Sequence, residues 1–304
     1  MKKIITYVVS VTMGIMASSE AVTVVLDFND PTQGTTERTN KRGDTIDTFD
    51  IRSYGFDDTA ANRTALTNRI LEEVKADFHF DIGQVTGNSA MNGKRLDINF
   101  VIGDAGVAPS NGDSEYYVVQ IGTGDGAFGV AVDSSIRRAD GSAGYYQGDS
   151  SVGPPTTPGG DLVVFNHGDA VPNGAIVSSV YASNLVIQLY STDRGDIERV
   201  TNLFSGTISH EVGHALSLKH LDFSKAHTKV NGKGSIMATG LPRFEWRYDR
   251  HFTLAGTDED GDATNPIDQL QTALGVTNIT QVPEPSSLLC LFAGLGIFTL
   301  YRKR

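Results

Sequence analysis

Hydrophobic residues recur along this chain with two different periods, and the changes between them mark out the elements. Residues 22–28 alternate and are β-branched, which predicts a strand. The polar, Thr-rich segment that follows as far as Asp58 reads as loop with short strands. From Thr59 the period becomes helical: Leu66, Ile70, Val74 and Phe78 recur at intervals of four, with Asp57, Asp58 or Thr59 available as the cap. Strand-like runs come next at 97–102, 116–121, 128–132, 162–165 and 184–190, separated by Gly, Asn, Asp and Pro clusters. Residues 139–161, with Gly153-Pro154-Pro155 and Pro158-Gly159-Gly160, read as a long exposed loop because strands continue on both sides of it.

A second helix starts near Asp196 and carries Glu198, Val200, Leu203, Ile208, Val212 and Leu216. A third has Asn265 as cap, Pro266 at its first position, Ile267, Leu270, Ala273 and Leu274 as its apolar side, and Gly275 as its stop. No internal repeat is visible. The order predicts an α/β fold of the α+β kind: a mixed, twisted sheet with a long early helix, a second helix and a C-terminal helix.

Both ends depart from this pattern. Residues 1–21 read as a secretory signal: Lys2 and Lys3 form the charged start, residues 4–16 the apolar stretch, and Ser19-Glu20-Ala21 a small-x-small cleavage site. At the other end, Val282-Pro283-Glu284-Pro285-Ser286-Ser287 leads into an apolar run over 288–301 and then Arg302-Lys303-Arg304. This tripartite tail, 282–304, resembles the PEP-CTERM sorting signal of Gram-negative bacteria that make exopolysaccharide. The resemblance implies transient inner-membrane anchoring and removal of the tail by an exosortase, leaving the protein at the cell surface, in the extracellular matrix or secreted. The apolar run is shorter than the ~20 residues a span usually needs, but the basic end can hold the cytoplasmic side; a permanent anchor is the other reading.

Composition adds limits. With 304 residues, 39% hydrophobic and 20% charged, the chain can bury a full-sized core. A net charge of −11 argues against nucleic acid or an anionic membrane surface as the main partner. Removing the two ends takes Lys2, Lys3, Arg302, Lys303 and Arg304 from the 25 basic residues and Glu20 and Glu284 from the 36 acidic ones. Residues 22–281 then carry 20 and 34, a net −14. The single cysteine, Cys290, lies in the tail, so a processed chain has no disulfide and no thiolate metal ligand. With 33 Gly and many Asp, calcium becomes a candidate stabiliser, and Asp258, Asp260 and Asp262 present oxygen ligands at alternate positions. That run fails the EF-hand pattern, with Ala263 and Gln269 where Gly and Glu belong, so a solvated acidic turn is the competing reading.

The chemistry concentrates in the second helix, at His210-Glu211-Val212-Gly213-His214-Ala215-Leu216-Ser217-Leu218-Lys219-His220. Two His four apart lie one turn above each other on one helical face. Both imidazoles can therefore reach one metal ion, with Glu211 beside them to accept a proton from water. Three neutral imidazoles leave Zn²⁺ a fourth position for water, whose pKa falls toward ~7 there. With His220 six residues after His214, and Ser235-Ile236-Met237 downstream, the chain resembles the metzincin metallopeptidases. The resemblance implies His210, His214 and His220 as zinc ligands, Glu211 as general base, Met237 as the Met-turn methionine, a zincin-like domain spanning 22–281 with its core at about 59–275, and a protein or peptide substrate.

One position departs from the family: Ser217 stands where Gly is usual, at a turn that needs a positive φ to swing the third His onto the metal. Two outcomes follow. The turn forms with Ser217 strained, or the helix continues and Asp222, His227 or Glu245 becomes the third ligand. Tyr248 is a candidate oxyanion stabiliser or an ordinary core or surface Tyr. Gly124-Asp125-Gly126-Ala127-Phe128-Gly129 fits G-x-G-x-x-G but precedes a strand, so it reads as a turn, or a calcium loop, rather than a nucleotide site. His79, His167 and His251 receive no role. The expected function is an exported zinc endopeptidase with Glu211 as general base; the alternative is a non-catalytic matrix or surface protein that keeps the fold with a site disabled at Ser217.

Overall fold

The computed structural model describes residues 21–29, 38–39, 45–104, 109, 116–124, 128–131, 176–222, 229–230, 233–239, 247–258 and 260–279. Nearly all of the signal segment, the tail with Cys290, the 139–161 loop, the 162–165 strand, Asp125 to Ala127, His167, His227 and Glu245 lie outside the described residues.

The fold is mixed α/β. Strand β1 (Val22–Asp27) is followed by helix α1 (Ala60–Phe78), strands β2 (Ile98–Ile102), β3 (Tyr116–Gly122), β4 (Gly129–Ala131) and β5 (Ile176–Tyr181), and helices α2 (Ile197–Ala215) and α3 (Pro266–Leu274). The strands form one five-stranded sheet in the order β2-β1-β3-β5-β4. The first four run parallel, with Val24 opposite both Phe100 and Tyr117 and Ile121 opposite Val180; β4 closes the sheet antiparallel to β5, Val130 facing Ser179. Parallel neighbours need crossovers, and α1 supplies the one between β1 and β2.

All six residues of β1 are buried, as expected of a central strand covered on both faces. Val22, Val24 and Leu26 face the main core with α1 and α2, while Val25 meets Val118 on the opposite face. The hydrophobic core runs from Val22 to Leu274.

Helix α1 starts where the Thr59 side chain accepts the Asn62 N–H at 3.2 Å, and it buries Leu66, Ile70, Val74, Asp77 and Phe78. It packs along α2. Helix α2 starts at Asp196, whose carboxylate accepts the N–H groups of Glu198 and Arg199. It is buried almost all round, from Val200 to Gly213, and its Ser205, Gly206, Ser209 and Gly213 let neighbours approach its backbone closely. Helix α3 follows its expectation: Asn265 caps it, Pro266 opens it and Gly275, at φ 71°, ends it.

One element differs. Residues 184–190 are not a strand but a helical turn (Ala182–Leu185) running into a 3-10 turn (Val186–Gln188), and the strand lies just before, as β5. Leu185 and Leu189 are the buried pair and stand four apart, a helical spacing that the β-branched Val186-Ile187 between them obscures; Ile187 is exposed. Among the described residues, no helix is long and apolar enough to cross a membrane.

Candidate metal centre

Helix α2 ends at Ala215, one residue after His214 and little more than a turn after His210, and its ending builds the site. Leu218 N–H donates to Gly213 C=O and Ser217 N–H to His214 C=O, each at 2.9 Å, the paired bonds of a Schellman motif. Ser217 takes the left-handed position at φ 76°. The strained form of the turn is thus the one adopted, and the chain reverses so that His220 returns to the helix. The residue after it is fixed by Leu221 N–H donating to Met237 C=O at 2.8 Å.

The three imidazoles converge through their Nε2 atoms: 3.1 Å from His214 to His210, 3.0 Å from His214 to His220 and 3.2 Å from His220 to His210. His210 is buried and the other two are half-buried. Nδ1–H of His210 donates to Ile236 C=O and Nδ1–H of His214 to Leu218 C=O, both at 2.7 Å. A carbonyl only accepts, so those protons sit on Nδ1, and in the neutral rings Nε2 carries a lone pair. Two such lone pairs 3.1 Å apart, with His220 Nε2 within 3.2 Å of both, form a donor set that a cation between them would satisfy. Three nitrogens on a tetrahedral zinc at ~2.0–2.1 Å would be ~3.3 Å apart, close to the spacing seen, and backbone carbonyls on the distal nitrogens are the usual support for such ligands. Burial, then the neighbouring His214 and His220, pushes His210 well below the ordinary imidazole range, with only the Ile236 carbonyl opposing, so a proton is a poor substitute. The donor set fits a metal ion.

Around this triad the packing leaves little freedom. Met237 lies beneath the helix: a methyl on Gly213 would fall 2.5 Å from its Sδ. Glu211, buried, sets its carboxylate against β4, where a methyl on Gly129 would fall 2.4 Å from Oε1. The Ser178 hydroxyl donates to Glu211 C=O at 3.3 Å, joining β5 to the same turn.

Other expected residues fall elsewhere. Asp222 lies in a two-residue strand pairing Leu221–Asp222 with Ala238–Thr239. The Tyr248 ring is covered by Arg199 at 4.5 Å and Arg247 at 5.4 Å; Arg199 is three turns before His210, about 16 Å along the helix, so Tyr248 is a surface residue and not an oxyanion stabiliser. His79 bonds to Ile98 C=O at 2.8 Å and burial lowers it to about 4. Residues 258–262 close a tight turn, with Asp258 N–H donating to Asp262 C=O at 2.9 Å and Gly261 N–H to Asp258 C=O at 3.0 Å. Asp258 Oδ1 accepts the N–H of Asp260 and of Asp262, and Lys219 Nζ lies 2.6 Å from Asp260 and 3.3 Å from Asp258.

Sequence reasoning missed a buried polar group behind the triad: Asp77, Ser209 and Arg250, with Asp249 and His251 beside them. Asp77 had a signal, since it stands three residues after Val74 on the buried face of α1; Arg250 had none. No protein-family model and no curated protein matches the chain.

Proposed function

We propose that the chain is an exported zinc-dependent endopeptidase of the metzincin type. The observation that carries this reading is the meeting of three imidazole Nε2 atoms within 3.0–3.2 Å, with Glu211 on the same helix. A zinc ion held by His210, His214 and His220 would supply a Lewis acid that polarises a carbonyl and acidifies water. Glu211 accepts the proton of the attacking water and hands it to the leaving amine. Its burial and its seat on Gly129 keep it in one orientation. The sheet supports a peptide substrate: among the described residues β4 is its last strand, it lies beside the turn carrying Glu211, and a sheet edge pairs naturally with an extended chain.

The signal-like 1–21 segment and the tail over 282–304 support export and exosortase sorting as the route to the cell surface. The second reading, a non-catalytic surface protein, rested on Ser217, and Ser217 makes the turn that brings in His220.

The test is digestion of casein by the zinc-reconstituted chain against Glu211→Ala. The reading expects a loss of about 10²–10⁴-fold, the usual worth of a general base; equal rates would overturn it.

A further inference from the structure

Arg250 is only 2% exposed, and a guanidinium is costly to bury unless its charge is used. It presses on α2 one turn before His210: a methyl on Gly206 would fall 2.2 Å from Nη2 and 2.6 Å from Cζ. The acidic groups whose charges act on it are Asp77 and Asp249. Asp77 in turn accepts the Ser209 hydroxyl at 2.6 Å, so the residue immediately before His210 and the one four before it are engaged by the same buried group.

The chain on the other side of Arg250 leads to the same histidine. His251 C=O accepts the N–H of Ile236 at 3.0 Å, and Ile236 C=O accepts Nδ1–H of His210 at 2.7 Å. Arg250 therefore touches the helix that carries His210 and is adjacent in sequence to the backbone that anchors the carbonyl orienting it. Asp77, Asp249 and His251 have donor atoms within 4.8 Å of one another, and the charges of both carboxylates act on Arg250.

We propose that Arg250 is a positioning residue for the metal centre. Packed against Gly206, with the charges of Asp77 and Asp249 acting on it, it sets the spacing between α2 and the 234–237 segment. That spacing keeps the Ile236 carbonyl on Nδ1 of His210 and aims Nε2 at His214 and His220. The inference rests on the zinc reading of the triad.

The experiment compares the full chain with Arg250→Met, Gly206→Ala and the double variant, reading Zn²⁺ affinity by competition with a chromophoric chelator and apo stability in urea. Each single variant is expected to bind zinc about 10–100-fold more weakly, as loss of an outer-shell support does. In the Arg250→Met background, Gly206→Ala should add nothing, because the methyl then has room. The visible spectrum of the Co²⁺-substituted Arg250→Met chain should also shift, which a loss of fold stability alone would not cause. Should Arg250→Met fail to fold, the milder Gly206→Ala decides. Zinc affinity unchanged in the folded variants, with wild type binding normally, overturns this inference alone. A wild-type chain that takes up no zinc overturns the proposed function beneath it.

Discussion

The carboxylate of Glu211 rests on the α-carbon of Gly129: a methyl group there would stand 2.4 Å from Oε1 and 2.7 Å from Cδ. Position 129 therefore controls where the Glu211 carboxylate, the proposed general base, points. Gly129→Ala should lower kcat at least tenfold, while zinc affinity measured by chelator competition stays at the wild-type value. A variant with unchanged kcat would mean that Glu211 does not depend on β4 for its placement.

Ser217 sits at φ 76°, where an L side chain costs roughly 1–2 kcal/mol. Gly at this position removes that strain, and its greater freedom in the unfolded chain returns part of the gain. Ser217→Gly should raise stability by about 0.5–1 kcal/mol in urea unfolding and leave His220 able to bind. A lower midpoint would show that the serine side chain contributes more than its backbone strain costs.

The Lys219 ammonium holds Asp258, which is buried, and Asp260. Lys219→Met leaves the Asp258 carboxylate with backbone donors only and should cost about 1–3 kcal/mol. Because the ammonium fills the acidic turn, added calcium should not raise the melting temperature of the wild-type chain through this turn. A calcium-dependent rise lost in Asp258→Asn would restore the calcium reading of the sequence.

Asp193 and Arg247 form a second ion pair, with Nη1 at 2.6 Å and 2.7 Å from the two carboxylate oxygens. Burial pushes the Asp193 carboxyl up, but the Arg247 hydrogen bonds and the Tyr190 N–H outweigh it and hold the group below its usual value. A carboxyl lowered in the fold stabilises above its unfolded pKa, near ~3.9, and that contribution is lost as pH falls through the folded value. The acid limb of the stability curve should therefore be shallower in Asp193→Asn below about pH 4. Parallel curves for the two chains would contradict this.

The parts legible in the sequence were those set by local chemistry. Thr59, Asp196 and Asn265 each cap the helix their neighbours predict, and His210 and His214 share a face because four residues make one turn. The positive φ at Ser217 was one of two outcomes the sequence left open, and the structure adopts it. What was hidden depends on residues far apart in the chain. Val186-Ile187 carries a β-branched signal, and only the burial of Leu185 and Leu189 shows that the segment is helical. The pairing of Lys219 with the acidic turn spans about forty residues. Asp77 and Ser209 are 132 residues apart, and no periodicity announces a hydrogen bond between two helices.

Whether the three imidazoles hold a metal ion is measured most directly by the zinc content of the purified chain after reconstitution and exhaustive dialysis, beside His210→Ala and His220→Ala. One zinc per wild-type chain is expected, with retention sharply reduced in both variants. A wild-type chain that retains none, or that holds zinc equally well without His210 and His220, would contradict it.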